Sequence, residues 1–543
     1  MTNLSLGVVC RAGLRLALCA AVGLQGCGGS GPDSEAKGAS GVPGTSPDLQ
    51  LSGTATMAPA AAAATVAAVA TVDNCLVVPA RVASAAGQRS VAEFGAVPND
   101  SGDDTAAIQR ALDALQAGQT LVFPAGRYLT NKRLRVRVPG TSLDGTGATL
   151  HATNPDDQAI MIEADDIAVR SFFLTAVTDV RRSAPWHARI AVYSENADGS
   201  LKTIRRSVIQ DNTVTHAGAP GSPGANGASA GGIILLHADG FLVAGNTVVR
   251  TLSDGIHVTG GSRNGRVLGN TVRETGDDMI AVVSYAGVGN AALGTAAQMS
   301  SQWATRVANK LNQNILIANN NVSGQYWGRG ITVVGGEAIT IRGNTLDNIP
   351  LSAGILLARE ANYESFGVNN VMVADNTITN VQNLPPPYDV GGKYASHNPT
   401  GHGAVEIHAS LFDDEKANAQ LKEAFSVRNV KLIGNIVRVT AVPGVRAGVP
   451  FDNSVTAVNP STGVTVSRHM TTSVVQSLSV QTGRFDSIPG QAISLGSVGM
   501  ATGELHCRGN TRDGLAYTPA ACLRVEPAVT GASMTCLAAG QVM

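Results

Sequence analysis

Aromatic side chains are scarce in this 543-residue chain, with 3 Trp, 8 Tyr and 10 Phe, so rings cannot supply the bulk of a core. An excess of charge of one sign is also missing: 39 Lys and Arg face 40 Asp and Glu, a formal net charge of −1. So neutral a chain has no overall basic field, and neither nucleic acid nor an anionic membrane surface is expected as a partner. The one early apolar run, Leu16 to Leu24, is too short to span a bilayer. What is plentiful is aliphatic residues and glycine, with 44% hydrophobic residues and 62 Gly. Such a core is built from Ile, Val, Leu and Ala joined by many tight turns. That excludes a disordered chain, argues against a helical bundle and favours an all-β or repetitive architecture.

Arg11 and Arg15 precede the apolar run, and Leu24-Gln25-Gly26-Cys27 follows it. A positive start, a short apolar stretch and small residues before a cut site describe a secretory signal. The tetrapeptide resembles the bacterial lipobox, which implies lipidation at Cys27, a signal peptide over residues 1–27 and a membrane contact made only through the lipid. Gly28, rather than Asp, after the cysteine implies the outer membrane of a bacterial cell envelope. Residues 28–75, rich in Gly, Ser, Pro, Thr and Ala, read as a flexible tether. Of seven cysteines, Cys10 and Cys19 leave with the signal, and Cys75, Cys507, Cys522 and Cys536 remain for disulfides in an oxidising compartment. Three pairings are open, and no Cys-x-x-Cys spacing suggests a metal or redox site.

The folded body begins with Val91-Ala92-Glu93-Phe94-Gly95-Ala96, then Asp103-Asp104-Thr105 as an N-cap cluster. Ile108, Ala111, Leu112 and Leu115 form a helical apolar stripe that Gly118 stops, and Leu121 to Tyr128 follow as strand and turn. This stretch resembles the N-terminal entry of the pectate lyase and polygalacturonase superfamily. There an amphipathic helix covers the open end of a right-handed, single-stranded parallel β-helix, so that the edge of the sheet is not exposed.

The repeat is visible without any family. A Gly/Asp/Asn-Asn tag followed by aliphatics recurs at Asn212, Asn246, Asn270, Asn321, Asn344, Asn376 and Asn435. Spacings in the low twenties are those of a solenoid, and asparagines at matching turns can stack. Upstream, Gly232 to Leu235, Gly255 to Val258, Met279 to Val282, Gly330 to Val333 and Gly354 to Leu357 align as short strands. Alternation places Ile233, Ile256, Ile280, Ile331 and Ile355 in one inward column. A β-helix is expected over residues 76–440, with terminal coils and a disulfide-stabilised cap over 441–543.

The residue just before each strand gives a second column: Gly231, Asp254, Asp278, Arg329 and Ala353. Coils stack ~4.8 Å apart, so Asp254 and Asp278 become neighbours, with Asp277 beside them and Arg329 one coil beyond. Three carboxylates so placed repel, and at least one pKa must rise, as a general acid requires. Strict alternation would turn Asp254 inward, so it must stand at the corner. Turns also favour Asp and Gly, but turns alone do not require three acids in register with an arginine.

Ser253-Asp254-Gly255-Ile256 is similar to the polygalacturonase Asn-Thr-Asp-Gly motif, and Gly276-Asp277-Asp278-Met279-Ile280-Ala281 to its Gly-Asp-Asp-Cys-Ile-Ala motif. The resemblance implies an inverting glycoside hydrolase without a cofactor: Asp277 protonates the leaving oxygen while Asp254 and Asp278 activate water. Inverting carboxyls stand roughly 6.5–9.5 Å apart, which the Asp254–Asp277 diagonal is expected to supply. The chain departs from the family where Gly328-Arg329-Gly330 replaces Gly-His-Gly, Leu252 replaces the first Asn, and only Arg359 remains of Arg-Ile-Lys, with Ala361 at the lysine position. These changes point away from pectin and toward another uronate-containing polysaccharide, whose carboxylate Arg329 and Arg359 could pair with.

A Ca²⁺-dependent lyase is the enzymatic alternative, since clustered acids suit calcium and Arg329 could act as base. A non-catalytic polysaccharide-binding solenoid is the other. His257 is expected to project outward and touch substrate, and Trp327 and Tyr326, with Trp303 in the insertion between Ser284 and Asn312, to stack on sugars. A second insertion runs from Asn383 to Gly403. Gly401-His402-Gly403 imitates the family motif three coils late and reads as a turn; Glu406 and His408 lack further ligands, so no metal site is expected; Glu360 reads as the partner of Arg359. The protein is expected to be a monomer.

Overall fold

The computed structural model describes residues 87–216, 226–286, 311–325, 327–385, 399–449, 452–458, 465–473, 475–496 and 505–519. The signal, the tether, Tyr326, Trp303 and most of both insertions lie outside them, as do Cys27, Cys75, Cys522 and Cys536.

One coil shows how the chain folds. Leu242–Ala244 lies in a first sheet, and Gly245 and Asn246 turn the chain into Thr247–Val249 of a second. A longer corner then leads to Ile256–Thr259 of a third sheet, and a short turn returns to the first sheet at Arg263–Leu268. The next coil pairs in parallel at every side, with Leu242 opposite Arg266, Thr247 opposite Thr271 and Ile256 opposite Ile280. Repetition builds three sheets of 15, 13 and 13 strands among the described residues, a right-handed parallel β-helix. The coils continue past residue 440 through Gln476–Gln481 and Leu505–Arg508, where Cys507 is buried and disulfide-bonded.

At the N-terminus, Ser90 and Glu93 form a capping box on a short 3₁₀ turn, and the helix Thr105–Asp113 follows. Ile108, Ala111, Leu112 and Leu115 are all buried, as the stripe requires. The N-cap duty falls on Asp103, whose Oδ1 accepts from Thr105 N at 3.1 Å, while Asp104 accepts from Val97 N and Leu129 N.

The corner between the first and second sheets needs positive φ, which Gly245 (65°), Gly269 (60°) and Asn319 (56°) supply. The following asparagine points inward and joins a ladder. Asn246 Nδ2 donates to Asn270 Oδ1 (3.0 Å), Asn270 to Asn320 (2.9 Å), Asn320 to Asn344 (2.9 Å), and the run continues to Asn376 and Asn435. The ladder member is Asn320, not the expected Asn321, which is exposed and opens the next strand. Three successive asparagines, 319–321, hide the register in the sequence; the hydrogen bonds fix it.

The isoleucine column is as expected: Ile190, Ile233, Ile256, Ile280, Ile331 and Ile355 are in register and fully buried, with Val405 next. Val405–Phe412 then overruns its coil and pairs antiparallel with Thr465–Ser473, while the short helices Asp413–Lys416 and Ala419–Ala424 pack beside it. That addition decides the fate of Arg359.

Candidate active site

The corner entering the third sheet carries the acids. Asp254 and Asp278 precede Ile256 and Ile280 by two residues, outside the strands Ile256–Thr259 and Ile280–Val283, which resolves the inward-pointing conflict of strict alternation. A threonine holds each corner: Thr251 Oγ1 donates to Ser253 O (2.6 Å) and Thr275 Oγ1 to Asp277 O (2.7 Å). One coil up, Gly328 (φ 61°) lies against the acid pair, where a Cβ would stand 2.5 Å from Asp277 C and Asp278 N. No other residue fits there.

The three carboxylates converge, one oxygen of each lying within 4.8 Å of the others. Asp277 and Asp278 are fully buried and Asp254 nearly so. Asp278 Oδ1 accepts from the backbone N–H of Arg329 at 2.7 Å, with the Arg329 guanidinium 4.0 Å away; its Oδ2 has no partner. Asp277 Oδ2 accepts from Arg181 Nη2, and its Oδ1 has no partner. Arg181 Nη2 also donates to Ser253 Oγ (3.2 Å), which lies 3.5 Å from Asp254 Oδ2. The same Asp254 oxygen is 2.6 Å from His257 Nδ1.

Burial pushes the Asp277 carboxyl above its ordinary 3.8; the Arg181 charge opposes this and the Asp254 charge adds to it. Burial raises Asp278 well above 3.8, against the pull of Arg329 and with the push of Asp277 and Asp254. Such groups titrate as one set, so the cluster holds a proton where isolated aspartates would not.

Several expectations need correction. One oxygen of each acid lies within 4.8 Å of the others, so Asp254, Asp277 and Asp278 form one tight cluster rather than a spread diagonal. Arg359 does not line the site: it is fully buried, with Nη2 on Glu415 Oε1 (2.7 Å), Nη1 on Ser410 O (2.8 Å) and its guanidinium 4.6 Å from the Phe425 ring centre. Glu360 is not its partner but that of Arg329, Nη2 to Oε1 at 2.7 Å. His257 leaves the outer face of its strand as alternation requires, yet it is 2% exposed, held by Asp254. Trp327 is half-buried one residue from Gly328, and Tyr326 falls outside the described residues.

His402 lies in the corner column of Ser253, Asp277, Gly328 and Ser352, so it is more than a stray turn residue; its Nδ1 is 2.9 Å from Ser352 Oγ. Glu406 binds Arg446 Nε at 2.6 Å and His408 Nδ1 at 3.3 Å. Arg181 was invisible to sequence reasoning, because it comes from the irregular segment between Phe173–Ala176 and Ile190–Val192, where no repeat register exists.

By spacing alone the three aspartates could coordinate a divalent cation. Their surroundings compete with a cation: Arg181 already contacts Asp277, Arg329 faces Asp278, and His257 takes an oxygen of Asp254. What the arrangement can do is keep a proton on one buried carboxyl while another stays charged.

No curated protein matches the chain significantly. Among solved structures, the Agl-KA catalytic domain is 16% identical with a TM-score of 0.50, over 80% of this chain and 66% of that one, just under two thirds. The AlgE6 A-module of the Azotobacter vinelandii mannuronan C-5 epimerase is 14% identical with a TM-score of 0.45, over 78% and 98% of the two chains. The catalytic unit of a GH87 α-1,3-glucanase from Streptomyces thermodiastaticus is 18% identical with a TM-score of 0.45, over 80% and 70%. At such identities the likeness is one of fold. A model of the family described as rhamnogalacturonase A/epimerase, pectate lyase-like, matches residues 88–383, more than half of the 543. The β-helix, the corner acids and this match together place the chain in the rhamnogalacturonase A/epimerase, pectate lyase-like family.

Proposed function

We propose that the protein is a glycoside hydrolase that cuts an acidic, uronate-containing polysaccharide with inversion at the anomeric carbon. The observation that carries this reading is the adjacent buried pair Asp277 and Asp278, both shifted toward the protonated form and both with an oxygen left without a partner. Arg181 holds Asp277 Oδ2, so Oδ1 is the atom free to carry a proton and deliver it to the leaving glycosidic oxygen. Asp254 lies beside this pair to supply the negative charge that a developing oxocarbenium ion needs, and Asp278 is fixed by the Arg329 N–H. Arg329, already paired with Glu360, and Arg181, already on Asp277, bring positive charge to the corner where a sugar carboxylate would bind, and Trp327 stands two residues before Arg329 in the chain.

The test is a panel of uronate-containing and neutral polysaccharides read for new reducing ends, for ultraviolet absorbance and for a changed C-5 configuration. The reading expects reducing ends alone, the α/β anomer inverted by NMR, no loss on chelation, and turnover down by ~10²–10⁴ in Asp277→Asn and Asp278→Asn. Unsaturated products that vanish with chelator would instead establish a Ca²⁺-dependent lyase, for which the 4.8 Å carboxylate spacing leaves a cation possible. We place the enzyme in the bacterial cell envelope, held by a lipid on Cys27. Labelling with a lipid precursor tests this; an unlabelled mature protein would refute it.

A further inference from the structure

We propose that His402, His408 and Arg446 form a second sugar-binding site, three coils from the acids, that takes the hydroxyls of one unit of the polysaccharide chain. This site rests on the reading above that the substrate is a polysaccharide, and not on which chemistry cuts it.

The coil of Val405–Phe412 carries the cluster. Val405 and Ile407 face inward, so Glu406 and His408 leave the outer face of the strand, opposite Leu356 and Ala358 of the preceding coil, with Arg446 opposite Glu406 on the next. The outer face, apolar at Leu356 and Ala358, turns polar here. Glu406 is fully buried and accepts from Gly403 N (2.9 Å), Arg446 Nε (2.6 Å) and His408 Nδ1 (3.3 Å), so one enclosed carboxylate aims both heads. The turn Gly401-His402-Gly403 is held as firmly. Gln382 Oε1 accepts from Gly401 N and its Nε2 donates to His402 O, both at 2.8 Å. At Gly403 a Cβ would stand 2.8 Å from Arg446 Cβ and 2.9 Å from its N, so glycine is what lets the arginine come this close. His402 Nδ1 lies 2.9 Å from Ser352 Oγ, and the two histidine rings are 5.8 Å apart between centres.

What the cluster leaves over points to a ligand. Arg446 Nη1 and Nη2 and the Nε2 atoms of His402 and His408 have no partner among the described residues, and none of the four is enclosed. The Arg446 and His408 side chains are 21% and 22% exposed, whereas the acids are closed in. Glu406 matches the charge of Arg446, and burial pushes the His402 ring down to about 3, so it brings a donor and an acceptor but no charge at neutral pH. Donors and acceptors whose charge is already balanced suit hydroxyls rather than a carboxylate. His402 continues the corner column Asp277, Gly328 and Ser352. At ~4.8 Å per coil it stands ~14 Å along the axis from the acids, within the reach of one oligosaccharide.

The test is the binding of oligogalacturonates and oligomannuronates of graded length, and of their carboxyl-reduced forms, to the non-cleaving Asp277→Asn protein. The comparison adds His402→Ala/His408→Ala, which leaves the Glu406–Arg446 pair in place. Affinity should step up by about tenfold, the worth of two hydrogen bonds between neutral groups, once a chain is long enough to reach His402. The step should appear with acidic and reduced chains alike and vanish in the histidine variant at an unchanged urea midpoint. A step that survives the variant, or that only acidic chains show, overturns the proposal. Arg446→Lys keeps a cation for Glu406 but removes the Nη pair, and gives an independent reading should the histidine variant unfold: it must shrink the same step, and an unaltered step also overturns the proposal. Chains that bind without any step refute this site alone; if no chain binds at all, the polysaccharide reading falls and the site falls with it.

Discussion

Replacing Arg359 separates a binding residue from a structural one. Its guanidinium is fully enclosed, with Nη2 on Glu415 Oε1 at 2.7 Å, Nη1 on Ser410 O at 2.8 Å and Nε on Ser365 O at 3.2 Å. Arg359→Met keeps most of the volume but strands the Glu415 carboxylate, which costs about 3–5 kcal/mol for a buried pair broken on one side. Arg468, 3.9 Å from the same Glu415 oxygen, compensates part of that charge, so the ion-pair loss falls near the lower end. The two carbonyls left without donors add about 1 kcal/mol each, for a total near 5 kcal/mol. Arg359→Met/Glu415→Gln, which removes the stranded charge, recovers a large part. Urea midpoints measure the stability, and KM on a cleaved polysaccharide measures the binding. A tenfold rise in KM with an unchanged urea midpoint would refute the structural reading and restore Arg359 to the substrate.

Two further outcomes follow from the same reasoning. Asn320→Ala removes the acceptor of Asn270 N and Nδ2 and the donors to Val267 O and Asn344 Oδ1, costing about 2–4 kcal/mol, whereas the exposed Asn321→Ala stays within ~0.5 kcal/mol; equal urea midpoints for the two would contradict the ladder register. Asp278 has a raised folded pKa, so the folded state binds more protons than the unfolded chain above the ordinary 3.8, and its contribution to stability falls as pH rises. Asp278→Asn, which keeps an acceptor for Arg329 N–H but cannot ionise, should therefore melt higher than wild type at neutral pH and approach it near pH 4; a variant that melts lower at pH 7 would reverse the sign.

What the sequence disclosed and what it hid divide along one physical line. Features that every coil must repeat are legible, because stacking at a fixed rise forces the same residue type into the same column: the isoleucines through Ile355, the asparagine tags and the corner acids all emerge from alignment alone. Features that one coil contributes once leave no column. Arg181 reaches Asp277 from an irregular segment, and Glu415 reaches Arg359 from a helix 56 residues on, so neither partner is visible from spacing. Arg359 departs from the motif for that reason: its letter fits, but its environment is set by an addition outside the repeat. His257 is only half legible, since alternation gives the direction of a side chain but not what lies over it.

The two corners of each coil show why the site sits where it does. Between the first and second sheets, the ladder asparagines spend every side-chain atom on one another and on inward carbonyls, which leaves nothing for a ligand. Around the third sheet, Asp277 Oδ1, Asp278 Oδ2 and Gln325 Oε1 at the entering corner, His257 Nε2 and Thr332 Oγ1 within the strands and Glu360 Oε2 just after Ile355–Arg359 are buried without partners. Each such group costs about 1–3 kcal/mol, a cost that a fold without function would have no reason to concentrate. A polyhydroxylated substrate brings donors and acceptors in the density these groups lack. On the proposed function, the stability given up in the resting protein would return as binding when a sugar chain fills the corner, and the carboxyl shifted toward its protonated form stands among those same atoms.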